Sequence, residues 1–348
     1  MNIALDATYS VGRDLSGVGV YSCELLTGLA RAHPEACFEF CYRPHRILRS
    51  FGSRLPANAS RFLLGETRAP RSADLFHGLN QRLPRLPLRR AVTTFHDLFV
   101  LTAEYSTPEF RQRFAEQARQ AAERSGRIIA VSQFTARQVI DLLGVDPGKV
   151  RVVHHGVRAL THTPTPARRE KIILHVGAIQ HRKNIARLVE AFEKVDPEWQ
   201  LVLAGSAGYG APEILARIAS SPSRARILVL GYVPSHELSG WYARAMIFAF
   251  PSLDEGFGMP VLEAMAAGVP VIASNRSSVV EVAGDAAWLV NPEDIEELTG
   301  MLVDLTRNPD RRAEFSRRGL LRASQFSWAD AVEKTWQVYR ELVDGTPG

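Results

Sequence analysis

The chain has only three cysteines, Cys23, Cys37 and Cys41, and they form no CxxC pair. An odd number of scattered thiols excludes a disulfide framework and a cysteine metal knuckle, and it fits a reducing compartment. Apolar runs are also short. None approaches the roughly 20 residues that a membrane-crossing helix needs. The start, Asn2-Ile3-Ala4-Leu5-Asp6, has neither a basic n-region nor an apolar h-region, so no secretory signal is expected and the predicted location is cytoplasmic. Asp-x-Asp occurs nowhere, and with it goes the usual carboxylate pair for a metal-clamped diphosphate. No metal ligand set and no cofactor are expected. Lysine is scarce, being confined to Lys149, Lys171, Lys183, Lys194 and Lys334, while arginine is abundant.

What is present is an ordinary globular composition over 348 residues, enough for two domains with their own cores. Charge is uneven. Residues 1–160 carry 22 Lys+Arg against 14 Asp+Glu, whereas the remainder is slightly acidic. Arg43 to Arg90 holds eleven arginines and only Glu66 and Asp74 as acids. The stretch Arg46-Ile47-Leu48-Arg49-Ser50-Phe51 suits either an anionic lipid surface, such as the inner face of a membrane, or plain solvation. Nucleic acid is not expected as a partner, because no aromatic-interleaved basic motif accompanies the charge.

Strand and helix signals alternate along the whole chain, which predicts parallel sheets. In the first half, strands are predicted at Ile3–Ala7, Cys37–Cys41, Leu75–His77, Ala91–Phe95, Arg127–Val131 and Val150–Val153. A glycine loop with Gly12, Gly17 and Gly19 precedes a helix from Val20 to His33. Thr161 to Arg169, rich in Pro and Thr, reads as a linker. The pattern then restarts with strands at Lys171–Val176, Leu201–Ala204, Ile227–Leu230 and Ile247–Phe250, and Asn184 stands as N-cap of a helix from Ile185. The expected domains are 1–160 and 168–327, with a last helix, about 328–348, packing back on the first domain.

The densest chemistry lies between the apolar runs Met246–Phe250 and Val271–Ala273. Glu255-Gly256-Phe257-Gly258-Met259-Pro260 leads into a short, nearly all-apolar helix whose one charge is Glu263, and Gly268 ends it. A buried carboxylate is costly unless hydrogen-bonded. Two carboxylates that grip hydroxyls, beside helix-start amides that hold phosphate, describe a nucleotide-sugar pocket. Arg182-Lys183, in the strand–loop–helix junction from Gly177 to Asn184, supplies adjacent cations for a diphosphate leaving group. His96 follows the strand Ala91–Phe95, at the carboxyl end where α/β sheets bind ligands.

Glu255 and Glu263, with seven residues between them, resemble the E-x7-E element of retaining GT-B glycosyltransferases of family 4, the group 1 glycosyltransferases. Val131–Thr135, Gly231–Pro234, Val280–Ala286 and Phe326–Trp328 also look like blocks of that family. The resemblance implies an α/β fold of two doubly wound, Rossmann-like domains facing a cleft. It also implies transfer of a hexose from a nucleotide diphosphate sugar to a glycan or lipid-linked acceptor with retention of configuration. GDP-mannose is the first-choice donor, from overall likeness to bacterial mannosyltransferases of polysaccharide assembly. A UDP-sugar-dependent transferase and a nucleotide-sugar epimerase of the same fold are the alternatives. By that resemblance His96, Lys183 and Glu255 are the catalytic candidates. The donor-binding candidates are Gly17, Gly19, Arg182, Lys183, Glu255, Gly256, Phe257, Gly258, Met259 and Glu263. Glu263 is expected to hold ribose hydroxyls and Glu255 the sugar. Two departures stand out: Ala178 where the family commonly has Arg, and His155 where relatives often have Asn.

Overall fold

The computed structural model describes residues 1–12, 14–158 and 169–345. The chain divides into two compact units, Met1–Gly156 with Ser327–Gly348, and Val157–Phe326.

Unit 1 is built on seven parallel strands: β1 (Asn2–Asp6), β2 (Cys37–Tyr42), β3 (Ala59–Leu63), β4 (Leu75–Gly78), β5 (Ala91–Phe95), β6 (Arg127–Ala130) and β7 (Val150–Val152). Their order is β3-β2-β1-β4-β5-β6-β7, so the winding direction reverses between β1 and β4. Residues of β1 alternate between two cores. Ile3 and Leu5 join one apolar cluster, and Ala4 joins the other, as a period of two requires of a strand buried on both faces. The helices of this unit are α1 (Gly17–Ala32), α2 (Pro44–Ser50), α3 (Phe99–Thr102), α4 (Pro108–Arg124) and α5 (Gln133–Leu143).

Unit 2 repeats the plan with β8 (Glu170–Val176), β9 (Gln200–Ala204), β10 (Ile227–Gly231), β11 (Ala245–Phe250), β12 (Val271–Ser274) and β13 (Trp288–Val290). All described pairs are parallel, in the order β10-β9-β8-β11-β12-β13, and here the reversal falls between β8 and β11. Its helices are α6 (Ile185–Phe192), α7 (Ala211–Ala219), α8 (Ser235–Arg244), α9 (Met259–Ala266), α10 (Val279–Ala283), α11 (Ile295–Arg307) and α12 (Pro309–Ala323).

The last helix, α13 (Trp328–Asp344), belongs to unit 1. It buries Val332, Trp336 and Tyr339 in the same core as Leu25 and Leu29 of α1. The two helices approach so closely that a Cβ on Gly28 would meet Val332 Cγ2 at 2.4 Å, so any larger residue there would push them apart. Glu341 of α13 is gripped by Arg127 and Arg151 at 3.0 and 2.9 Å, which ties the helix to β6 and β7. A buried hydrogen-bonded chain completes the attachment. The Tyr339 hydroxyl meets His77 Nδ1 at 2.6 Å, His77 Nε2 meets Thr94 Oγ1 at 2.8 Å, and Thr94 meets the Tyr21 hydroxyl at 2.9 Å.

Several expectations need correction. Gly17 and Gly19 are not in a loop but in the first turn of α1, because Ser16 caps that helix by accepting from the Gly19 amide. Two elements were not expected: Pro44 opens α2 within the basic stretch, and β3 follows as an edge strand. Asn184 stands at the N-cap of α6 as expected, but its side chain makes no capping hydrogen bond. It holds a left-handed backbone at φ 58°, and its amide donates to the carbonyls of Pro251 (3.1 Å) and Pro292 (2.6 Å). Of the expected linker, residues 161–168 lie outside the described residues. Arg169 is an anchor whose guanidinium donates to the carbonyls of Tyr242, Ala243 and Ala245 at the end of α8 and to that of Ala267 beyond α9.

Candidate functional site

In an open parallel sheet the loops beyond the carboxyl ends of the strands separate at the reversal point and leave a crevice there. In unit 2 the two strands flanking that point are β8 and β11. The loop after β8 carries Arg182 and Lys183, and the loop after β11 carries Asp254 and Glu255. Leu253 donates its amide to the Arg182 carbonyl at 2.8 Å, which locks the loops together.

The side chains converge on Glu255. Its Oε1 accepts from Lys183 Nζ at 2.5 Å, and its Oε2 lies 2.9 Å from Arg182 Nη1. Arg182 also donates to the Asp254 carbonyl. All three charged residues are nearly buried, at 7%, 6% and 7% exposure for Arg182, Lys183 and Glu255. Burial opposes the Glu255 charge, but the two cations outweigh it and hold the carboxyl down to about 2. Beneath Lys183 lies the Phe250 ring, 4.6 Å from Nζ, and Phe250 stacks on His175. Burial pulls His175 down to about 4, so it is neutral at pH 7. Its Nδ1 donates to the Ala249 carbonyl at 2.9 Å. Its buried Nε2 has no partner among the described residues.

Gly258 starts α9 at φ 96°, a left-handed conformation that disfavours any side chain, and no side chain caps the helix there. The Glu255 backbone is fixed by Ser277, which accepts from its amide at 3.1 Å, and by Ser278, which donates to its carbonyl at 2.7 Å. Phe257 is buried against Phe326, edge to face at 6.0 Å, and Met259 is half-buried at the helix start. Glu263 lies within α9, half-buried, and its Oε2 accepts from the Tyr242 hydroxyl at 2.9 Å. Burial pushes its carboxyl up, against the pull of Tyr242 and Arg158.

In unit 1, His96 sits just past β5, half-buried, with Nε2 donating to the Leu79 carbonyl at 2.9 Å. Burial lowers it to about 4, so at pH 7 it is neutral and Nδ1 carries the lone pair. Tyr21 meets its ring edge-on at 4.7 Å and His155 stacks at 5.5 Å, with Trp328 a further 5.7 Å from His155. Gly17 and Gly19 lie in unit 1, whereas the Glu255 cluster and α9 lie in unit 2.

Sequence reasoning brought forward Arg182, Lys183 and Glu255, but not His175, Tyr242, Ser277 or Ser278, which shape their surroundings. These four are common residue types that reach the cluster from β8, α8 and the loop after β12. Around His96, His155 and Trp328 did have a signal, as residues at family blocks.

Two doubly wound parallel-sheet units, one with a charged cluster at its reversal point, define an α/β protein of the GT-B class. Residues 15–159 match the family Glycosyltransferase Family 4, and residues 161–322 match Glycosyl transferases group 1. The chain belongs to this glycosyltransferase family. It is 29% identical over 377 residues to the O-antigen chain mannosyltransferase B of Escherichia coli, covering 97% of this chain and 99% of that one. Among solved structures it is similar to a sucrose-phosphate synthase of Thermosynechococcus elongatus, with a TM-score of 0.78 at 21% identity over 99% of this chain and 100% of that one. It is likewise similar to Alr3699/HepE of Anabaena in complex with UDP and glucose, with a TM-score of 0.77 at 18% identity over 98% and 100% of the two chains. Among the described residues no helix is long and apolar enough to cross a membrane.

Proposed function

We propose that the protein transfers a hexose from a nucleotide diphosphate sugar to a glycan or lipid-linked acceptor, with retention of configuration, in the synthesis of a cell-surface polysaccharide. GDP-mannose is the proposed donor, supported by the likeness to an O-antigen mannosyltransferase along nearly the whole chain. The solved relative that holds UDP and glucose supports a UDP-sugar as the second reading.

The observation that carries the proposal is the Glu255 carboxylate held between Arg182 and Lys183. Two buried cations that share one carboxylate keep a net positive charge and form a site that an incoming diphosphate can take over. The phosphates then engage Arg182 and Lys183, and Glu255 turns to accept from sugar hydroxyls. Glu263, with one oxygen on Tyr242, has the other for a ribose hydroxyl. As the bond from C1 to the phosphate oxygen breaks, its electron pair goes to the diphosphate, where both cations stabilise it. The acceptor oxygen bonds C1 on the same face and its proton passes to the departing phosphate, so no protein base is required. Neutral His96 is proposed to orient the sugar through Nδ1.

Because two side-chain cations supply this charge, turnover is expected to persist in excess EDTA. Loss of activity that Mg²⁺ or Mn²⁺ restores would overturn that expectation. Titration with GDP, UDP and their hexose conjugates tests the donor. Saturable binding of none of them places the function elsewhere.

The segment around α2 is proposed to rest on an anionic membrane face. Leu48 and Phe51 are 81% and 66% exposed, with Arg49 and Arg54 exposed beside them. Apolar side chains at the acyl boundary and cations at the headgroups act together. The protein should therefore co-sediment with vesicles containing phosphatidylglycerol and be released by salt, and Leu48→Ser with Phe51→Ser should weaken binding several-fold. Equal binding to neutral vesicles would indicate plain solvation.

A further inference from the structure

The arginine-rich first half does not end at α2. Beyond β4 the chain runs through a long loop back to β5, and this loop faces α4 across a cavity of about 430 Å³, within the roughly 300–1,000 Å³ range of small-molecule sites. Arg82 and Arg85 line it from the loop. Arg113, Gln117, Gln120 and Arg124 line it from α4, at spacings that place all four on one stripe of the helix. Leu83 and Ala121 are its apolar part.

The charges do not cancel. Arg43 and Arg82 both hold Glu66 through one oxygen, Oε1, each at 2.7 Å, and the Glu66 charge balances Arg82. Arg124 spends its hydrogen bonds on the carbonyls of Pro84 (2.7 Å) and Leu86 (2.5 Å). It pins the loop and keeps its charge. Among the described residues Arg85 and Arg113 take part in no ion pair, and both are exposed. Against these three cations stands Glu116, which accepts from Gln120 Nε2 at 3.0 Å. The surplus is positive, and it is built of guanidinium forks, which match phosphate and carboxylate geometry. Between the two arginines of the α4 stripe lie carboxamides, which donate to and accept from hydroxyls.

We propose that this cavity binds a sugar carrying an anionic group, with Arg85 and Arg113 on the anion and Gln117 and Gln120 on the hydroxyls. It rests on the glycosyltransferase reading and assigns an anionic glycan as the acceptor class. The loop that bears Arg82 and Arg85 begins at Leu79, whose carbonyl accepts from His96 Nε2 at 2.9 Å.

Isothermal titration of the full chain with mannose 6-phosphate, glucuronate, mannose and inorganic phosphate tests it, with GDP and UDP titrated into the same samples. At least one of the two anionic sugars should bind ten-fold or more tightly than both mannose and phosphate. Which one it is separates a phosphate from a carboxylate. Arg85→Gln with Arg113→Gln should lose at least ten-fold in that binding, with an unchanged thermal transition and unchanged nucleotide affinity. Gln117→Leu should lose the sugar's share and keep the affinity for inorganic phosphate. Anionic sugars that bind no better than mannose or phosphate, or a double variant that binds like the parent, overturn the proposal. If the nucleotides still bind in that case, the donor reading stands. If they do not, the donor reading fails separately.

Discussion

Lys183→Ala is expected to lower kcat by about 10²–10³ while KM for the nucleotide sugar changes little, and Glu255→Gln is expected to do something different. Lys183 Nζ is buried between the Glu255 carboxylate and the Phe250 ring, where water screens its charge poorly. A preorganised cation of this kind acts most strongly on the charge that develops as the leaving group departs, and such groups are worth roughly 3–4 kcal/mol. Arg182 remains to hold the ground-state diphosphate. Glu255→Gln removes the anion that competes with phosphate for both cations. Affinity for the free nucleoside diphosphate should therefore rise, by about ten-fold, while kcat/KM for the nucleotide sugar falls by about 10- to 150-fold, the worth of a charge-assisted hydrogen bond. Glu263→Ala should instead weaken the nucleotide itself by a comparable factor. Titration calorimetry with free nucleotide, run beside steady-state kinetics, separates the three. Nucleotide affinity that drops in Glu255→Gln would mean that the carboxylate contacts the nucleotide, and a Lys183→Ala enzyme within three-fold of the parent would remove the lysine from the chemistry.

This sharpens the first expectation about Glu255, and the reason lies in what a sequence can carry. Glu255, Gly258, Pro260 and Glu263 are near neighbours in the chain, so their loop-to-helix geometry is written locally, and α9 stands where those residues place it. The Lys183–Glu255 contact joins residues 72 apart, and nothing in the spacing of either loop reports that the two cations close on that carboxylate. It follows from the strand order, which sets β8 beside β11. The misplaced glycines have a different cause. Gly17 and Gly19 have poor helix propensity, yet Ser16 offers a cap and α1 is held by its apolar face on the sheet, so packing overrides propensity. The helix α2 has only seven residues, too few for an apolar period to show, and β3 is an edge strand whose burial does not alternate. The His96 cluster was half legible. Its position after β5 could be read, whereas Tyr21, His155 and Trp328 come from three other segments.

Those histidines lead to the second large effect: stability should fall steeply as pH drops below about 6.5, well before the carboxylates titrate. In unit 1, burial lowers His77 to about 3 and His96 to about 4, and it takes His155 well below its ordinary value. In unit 2 it lowers His175 to about 4. The unfolded chain protonates these rings near 6.5, and the folded chain does not until far lower pH. Over that window the unfolded state binds more protons, so the stability held by the neutral rings is complete above about pH 6.5 and is lost as pH falls toward the folded values. Each histidine contributes a slope of at most about 1.4 kcal/mol per pH unit, so the three of unit 1 together reach about 4 kcal/mol per unit. Glu255, lowered from 4.5 to about 2, adds a similar loss only below about pH 4.5, while burial raises the Asp6 and Glu263 carboxyls, whose earlier proton uptake in the folded state partly offsets the histidines. His77 gives the cleanest variant, since its two nitrogens hold Tyr339 and Thr94 deep in the core. His77→Asn should lower stability at neutral pH, because buried partners lose hydrogen bonds, and should flatten the acid slope by about a third of unit 1's share. Calorimetric unfolding at a series of pH values between about 7.5 and 5 measures both, and a transition temperature level across that range would show that the rings are protonated, or hydrated, in the folded protein.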